Sequence, residues 1–341
     1  MRPNIFDYAT SELSQDAFLA WLFKWAEKEN EFENKELYKC SNECLKTFFG
    51  NIKINKVNTV SISKQWENID LWITVNEKYH LIIEDKTGTS EHNNQLVRYK
   101  DIAKKWYRSE KGKDFDSYFS FVYFKTGDVT PYEKERIDEA EYKIITRSDM
   151  LAIFNKYEIK DTLFVDYKMK LQNKEFIQNL TFKKPFHEIL KEEDSNEYIK
   201  GFYIALQPHL DDAYWEYVNN PSNSFYGMWW YWCKSTYGTL YFQFIEFDLQ
   251  IRLGEIIRTK DKKTARDKTY NKIISAVEKS NYKGLIVKPD RFGVGESMAI
   301  VKVDRSLWLA LDENGYLDME KILQNLHKLE MFLWKDVLNK Q

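Results

Sequence analysis

One segment constrains this chain more than any other: Tyr79–Lys86, YHLIIEDK. Leu81, Ile82 and Ile83 are apolar in succession, so a strand here would be covered on both faces, as in the centre of a sheet. The same strand ends in three consecutive charges, Glu84, Asp85 and Lys86. Side chains alternate along a strand, so Glu84 and Lys86 point to one face and Asp85 to the other. Charges carried into a covered strand are costly, and perturbed charged groups of this kind concentrate at functional sites.

The preceding segment, NIDLWITV (68–75), puts Ile69, Leu71, Ile73 and Val75 on one face and leaves Asp70 on the other. Asn76-Glu77-Lys78-Tyr79 reads as a hairpin turn, and closing that hairpin brings Asp70 across the sheet towards Glu84. Around it the periodicity predicts helices over 11–28 and 35–49, a strand over 52–64, and a helix over 92–109. Strands over 117–125 and 142–146 and helices over 147–156 and 160–180 follow. This order gives an α/β fold, a mixed sheet flanked by helices. The stretch 183–196 holds a proline and a charge run and reads as a domain boundary. Beyond it lie a helix near 196–218, aromatic strands (GMWWYWCK, GTLYFQFIEF, LQIRLGEI), a basic helix from about 262 to 280, two more strands, and a helix over 318–338. The expected organisation is therefore a domain over about 1–185 and a C-terminal α+β domain over about 190–341, whose role is recognition, sensing or dimerisation.

Asp70, Glu84 and Lys86 place two carboxylates and one ammonium on one patch. Hard oxygen ligands of this kind suit Mg²⁺ or Mn²⁺ and leave positions for water and phosphate. A lysine beside them can orient the water or offset the charge that develops on phosphorus. The bland alternative is a salt-bridged cluster at a sheet end.

The spacing itself, Ile69-Asp70, thirteen residues, then Glu84-Asp85-Lys86, resembles the motif of the PD-(D/E)XK nucleases, with isoleucine where members often carry proline. Gln95-Leu96-Val97-Arg98-Tyr99 is similar to the QxxxY motif of RecB-like members; four apart on a helix, Gln95 and Tyr99 share a face. SELSQD (11–16) resembles the helical acid that many members bring to the metal, with Glu12 first and Asp16 in reserve. The resemblance covers roughly residues 5–130 and implies a restriction-endonuclease-like core. It implies Mg²⁺ or Mn²⁺ held by Asp70, Glu84 and Glu12, with the backbone carbonyl of Asp85 as a further ligand. Lys86 would act on water and phosphate, and Gln95 and Tyr99 would position substrate or lysine. The implied partner is nucleic acid, DNA before RNA. An added second domain fits bacterial anti-phage defence or DNA processing by analogy. Cutting both strands of a duplex often uses two sites, so a homodimer is expected.

With a net charge of −2, such a partner must meet a local basic patch. Residues 98–113 supply one: Arg98, Lys100, Lys104, Lys105, Arg108, Lys111 and Lys113 against Asp101 and Glu110. Residues 258–272 are similarly biased, and either run also reads as a plain solvated helix face. His80 and His92 read as solvated or packed side chains. The run Trp229-Trp230-Tyr231-Trp232 reads first as core, half of it facing inward, and second as a base-stacking platform. Cys40, Cys44 and Cys233, without CxxC spacing, read as reduced thiols of a cytoplasmic protein. No run of about 18 apolar residues predicts a membrane span, and the N-terminus lacks the apolar core of a signal peptide. HExxH, GxSxG and GxxxxGK[ST] motifs are absent. Two other readings remain open: a nucleic-acid-binding protein on a nuclease-like scaffold that does not cut, and an interaction protein whose aromatic C-terminal sheet docks a partner.

Overall fold

The computed structural model describes residues 3–88, 94–110, 115–193, 195–220, 224–257 and 261–339, without the side chains of 109 and 110. His92, Lys111, Lys113, Arg258 and Lys260 lie outside the described residues. The chain divides into two compact units, Met1–Lys174 and Glu175–Gln341. The division falls within one continuous helix, and the proline and charge run at 183–196 lies in the second unit.

The first unit runs α1 (Glu12–Lys24), α2 (Lys35–Phe49), β1 (Val60–Trp66), β2 (Ile69–Val75), β3 (Tyr79–Lys86), α3 (Gln95–Glu110), β4 (Phe119–Lys125), α4 (Pro131–Glu139), β5 (Lys143–Thr146), α5 (Arg147–Phe154) and α6 (Thr162–Leu180). Its five strands lie in the order β1-β2-β3-β4-β5. The first three are mutually antiparallel, and β3, β4 and β5 are parallel. Strand β3 is therefore central, and all of it after Tyr79 is buried, as its unbroken apolar run predicts. Leu81 and Ile83 pack into the core built with α1, α2, α5 and α6. Ile82 packs on the opposite face with Tyr99 and Ala103 of α3.

Both hairpins close tightly. Asn76 and Glu77 have φ of 53° and 54°, the double left-handed conformation of a type I′ turn. The Asn76 side chain accepts from the Asn58 amide at 2.8 Å and donates to the Lys56 carbonyl at 2.7 Å. Glu67 and Asn68, at 53° and 63°, close the β1–β2 hairpin in the same way. Two expectations change here. The strand expected from residue 52 begins at Val60, because Ile54 and Val57 enter the core from irregular backbone. Helix α4 appears where no helix was expected; Thr130 caps it and Glu133 completes a capping box, with proline in the first turn.

The second unit continues with α7 (Phe186–Ile189), α8 (Asn196–Leu206), β6 (Tyr214–Val218), β7 (Phe225–Lys234), β8 (Thr239–Ile245), β9 (Asp248–Gly254), α9 (Lys262–Val277), β10 (Ile286–Val287), β11 (Met298–Val303) and α10 (Met319–Phe332). Six strands lie in the antiparallel order β10-β11-β9-β8-β7-β6. One face packs on α8, α9 and α10. The helix expected to reach residue 218 stops at Leu206, ahead of Pro208, and Tyr214–Val218 instead pairs with β7.

Strand β7 carries a bulge between Trp230 and Cys233, with Tyr231 at φ 58°. The extra residue re-aims the side chains. Trp230 is fully buried, and its indole donates to Glu330 at 2.8 Å; Trp229 and Trp232 turn to the other face. The three cysteines are buried thiols. Among the described residues no helix is long and apolar enough to cross a membrane.

Candidate active site

The charged end of β3 is covered, with Glu84 and Asp85 at 0% exposure and Lys86 at 6%. The alternation holds. Glu84 and Lys86 lie on the α3 face and are ion-paired with each other. Asp70 lies beside them, within hydrogen-bonding reach of Glu84. The β2–β3 pairing ends at Leu71 and Ile83, and there the Asp70 carboxylate accepts from the Asp85 amide at 2.9 Å. Its other oxygen accepts from Gln65 at 3.2 Å, and Gln65 also donates to Asp16 at 3.4 Å.

Glu12 arrives from the first turn of α1. It lies 3.9 Å from the Lys86 ammonium and accepts from the Thr87 amide at 3.3 Å. Tyr99, fully buried, donates to the Asn68 carbonyl in the β1–β2 turn, and Gln95 donates to the Tyr99 hydroxyl at 3.5 Å. Burial, then the charges of Glu84 and Asp70, holds the Tyr99 hydroxyl well above its usual pKa.

Asp85 points to the opposite face and meets a residue that the sequence reading passed over. Gln15 of α1 donates to the Asp85 carboxylate at 2.5 Å and to the Lys86 carbonyl at 3.2 Å. Its amide oxygen accepts from Thr126 at 2.7 Å and from Tyr167 at 3.1 Å. The buried trio of Tyr123, Lys125 and Glu133 was also passed over. Lys125 bonds both Glu133 oxygens, at 2.8 and 2.6 Å, and Tyr123 donates to the same carboxylate. The signal for Glu133 was the capping-box spacing from Thr130; Gln15 left none, since an uncharged polar residue on a helix has many uses.

So many buried carboxylates repel one another. Burial and then the Asp70 charge push Glu84 up to about 8, against the pull of Lys86. Burial and then Asp70 push Asp16 up to about 6. Burial and then Asp16 hold Asp85 well above the usual carboxylate range. Burial works against the Lys86 charge, but Glu84, Glu12 and Asp70 outweigh it and raise its pKa.

The donor set fits a cation. Glu84 Oε2 is buried and accepts no hydrogen bond, while Oε1 meets the Lys86 ammonium; on the other face Asp16 Oδ1 and Asp85 Oδ2 are buried without a donor. Among the described residues no group of three or more His, Cys, Asp or Glu side chains could hold a metal ion. Asp70 and Glu84, side by side at the end of β3, are the carboxylates that could serve an ion there. Two carboxylates suit Mg²⁺, which keeps much of its shell for water and phosphate. Glu12 is brought to the same patch but turned to Lys86 and the Thr87 amide.

Of the expected phosphate-facing cations, Arg98, Lys104, Lys105 and Arg108 are exposed on α3. Lys100 is half-buried, pairs with Glu141 at 2.9 Å and lies over the Phe121 and Tyr142 rings. His80 is packed, accepting from Trp72 at 3.2 Å and stacking on Phe119. In the 258–272 segment Lys262 pairs with Glu296, and Arg266 with Asp267.

Two outcomes follow from this geometry. Gln15→Leu, close in volume, strands the buried Asp85, Thr126 and Tyr167 groups and should lower the stability of the first unit by about 2–4 kcal/mol, read from thermal or urea unfolding. The pH dependence has a definite sign. In the folded protein Asp16 and Glu84 bind their protons more tightly than in the unfolded chain. Their contribution is complete below about pH 4 and is lost as pH rises through about 6 for Asp16 and about 8 for Glu84. Metal-free protein in a chelator should melt several degrees higher at pH 5 than at pH 8, and Asp16→Asn should flatten the lower part of that slope. A flat profile between these values would contradict the shifts.

The family model described as the PD-(D/E)XK nuclease superfamily matches residues 3–192, more than half of the chain. No curated protein and no solved structure matches the chain at a significant level. Members of this superfamily generally use divalent metals, and the mixed sheet flanked by helices fits their restriction-endonuclease-like α/β fold. On the match and the fold together, the chain belongs to the PD-(D/E)XK nuclease superfamily.

Proposed function

We propose that this chain hydrolyses phosphodiester bonds in nucleic acid, DNA before RNA, using Mg²⁺ or Mn²⁺ held by Asp70 and Glu84. One observation carries the reading. Two carboxylates and an ammonium converge at the covered end of β3, where Lys86 meets Glu84 Oε1 and Oε2 accepts no hydrogen bond. When bound there, the ion supplies an acidified water and charge stabilisation on the phosphate.

The chain's own residues do the rest. Lys86 is kept protonated by Glu84, Glu12 and Asp70, so it serves as a fixed positive charge that orients water and offsets charge on the phosphoryl oxygens. Glu12 holds Lys86 and the Thr87 amide, and its place at the patch makes it the candidate for a further ligand. Asp85 gives its side chain to Gln15, which leaves its backbone carbonyl as the donor that the family implies. Tyr99, with Gln95, pins the β1–β2 turn beside Asp70 and positions the site. Arg98, Lys104, Lys105 and Arg108 offer a line of exposed charge for phosphates. Cutting both strands of a duplex calls for a second copy of the site, supplied by a homodimer, and such an activity suits anti-phage defence or DNA processing.

The test is cleavage of labelled linear DNA, circular DNA and RNA with Mg²⁺ or Mn²⁺. Wild type should cut DNA, and a chelator should stop it. Glu84→Ala and Lys86→Ala should each reduce the rate by roughly 10²-fold or more. Wild-type protein inert on every substrate, or variants as active as wild type, would remove the catalytic reading and leave a binding protein on a nuclease scaffold.

A further inference from the structure

The second unit carries a cleft that the nuclease site does not use. The face of its sheet opposite α8, α9 and α10 opens into a space of about 800 Å³, walled on one side by residues of the 289–298 segment. Two rows of side chains cross its floor in strand register. Tyr214, Trp229, Gln243 and Gln250 form one, from β6 to β9. Trp232, brought over by the bulge, and Tyr241 begin the other, with rings stacked at 4.3 Å. Tyr214 stacks on Trp229 at 5.0 Å and on Trp232 at 6.1 Å, so four aromatic rings run nearly parallel.

The cleft is built rather than incidental. The Trp229 ring lies so close over Gly227 that a Cβ there would sit 2.5 Å from it, so only glycine admits this ring position. The wall is anchored twice. Phe292 lies under the Arg266 guanidinium at 4.0 Å, and Ser297 bonds both Arg252 at 2.9 Å and Tyr241 at 2.5 Å.

Two features indicate the occupant. Trp232 is 38% exposed, so part of a large ring in a fixed stack faces the opening. Gln243 is 3% exposed, lines the cleft, and makes no side-chain hydrogen bond among the described residues. With no such bond, its amide reaches the cleft and can offer a donor and an acceptor to a ligand with the matching pair. Its neighbour Gln250 accepts from Arg252 at 3.1 Å, which fixes how that amide is presented. A planar ring that stacks on tryptophan and offers an adjacent donor and acceptor on its edge is a nucleobase; adenine matches a glutamine amide best. The charges around the cleft cancel. Arg252, Arg291 and Lys302 are balanced by Glu216, Asp248 and Asp290, so recognition falls to the base and not to the phosphates.

We propose that the open sheet face of the second unit binds a single nucleobase, stacked against Trp232 and read by Gln243. The base comes from a free nucleotide or from one nucleotide of a strand. This site does not depend on the nuclease reading, because binding is measured without metal.

The experiment is equilibrium dialysis and tryptophan fluorescence on the full chain in chelator. The probes are AMP, GMP, CMP and UMP, then a short oligo(dA) and an abasic strand of equal length. Saturable binding is expected, tightest for adenine. Trp232→Ala and Gln243→Leu should each weaken it by roughly ten-fold or more, while Lys86→Ala leaves it unchanged. Gln243→Glu, which keeps the side chain's size, should weaken it too and guards against a folding defect, as do matched thermal melts. Binding of both AMP and oligo(dA) makes a free nucleotide sufficient; binding of oligo(dA) alone assigns the base to a strand, and either supports the proposal. No saturable binding of any base-bearing probe, an abasic strand binding as tightly as oligo(dA), or folded variants with wild-type affinity would overturn it.

Discussion

The burial of the charged end of β3 is the constraint on which the first unit depends. Glu84 and Asp85 are fully buried at the centre of a five-stranded sheet. Unpaired, each would cost several kcal/mol. The two faces compensate differently. On the α3 face Lys86 supplies a charge to Glu84; on the α1 face Gln15 supplies a neutral amide to Asp85. Gln15 also ties β3 to Thr126 after β4 and to Tyr167 of α6. Asp70 belongs to the same solution: where the β2–β3 ladder ends, its carboxylate takes the Asp85 amide that no strand partner meets.

Much of this was readable because strand alternation is a rigid rule. The placement of Glu84 and Lys86 against Asp85, the approach of Asp70, and the turn at Asn76 and Glu77 follow from period two and from turn chemistry. What was not readable came from long-range partners. The direction of Lys100 is decided by Glu141, forty-one residues on, at a position with φ of 54°. The work of Gln15 depends on Thr126 and Tyr167, which sequence spacing cannot bring to it. Helix α4 is a different case: its threonine, proline and glutamate were present in the sequence, but the segment is short and its apolar pattern weak.

The second unit shows how one residue can change a surface. Unbroken alternation would set Trp230 and Trp232 on one face and Trp229 and Tyr231 on the other. The bulge at Tyr231 instead keeps Trp230 in the core and brings Trp229 and Trp232 onto one open face with Tyr214 and Tyr241. An expectation of core packing for this aromatic run thus describes half of it. The bulge could not be read, because it depends on the register with β8 and on the bond from Tyr231 to the Asp211 carbonyl.

The energetics of the β3 end separate structural from functional roles among the charges. A sheet centre is stabilised by apolar side chains, and replacing a buried ionic group by a well-packed apolar one is often neutral or favourable. Lys125 and Glu133 are joined by two bonds, with a third to the carboxylate from Tyr123, so Glu133 is well compensated. Glu84 is different. Its Oε2 accepts no hydrogen bond, its proton affinity is raised, and the Lys86 ammonium on its Oε1 is shared with Glu12. A carboxyl so placed in a buried strand is neutralised by a proton or by a cation, and its raised proton affinity reports that balance. That difference in pairing sets the end of β3 apart from the better-paired Lys125–Glu133 cluster next to it.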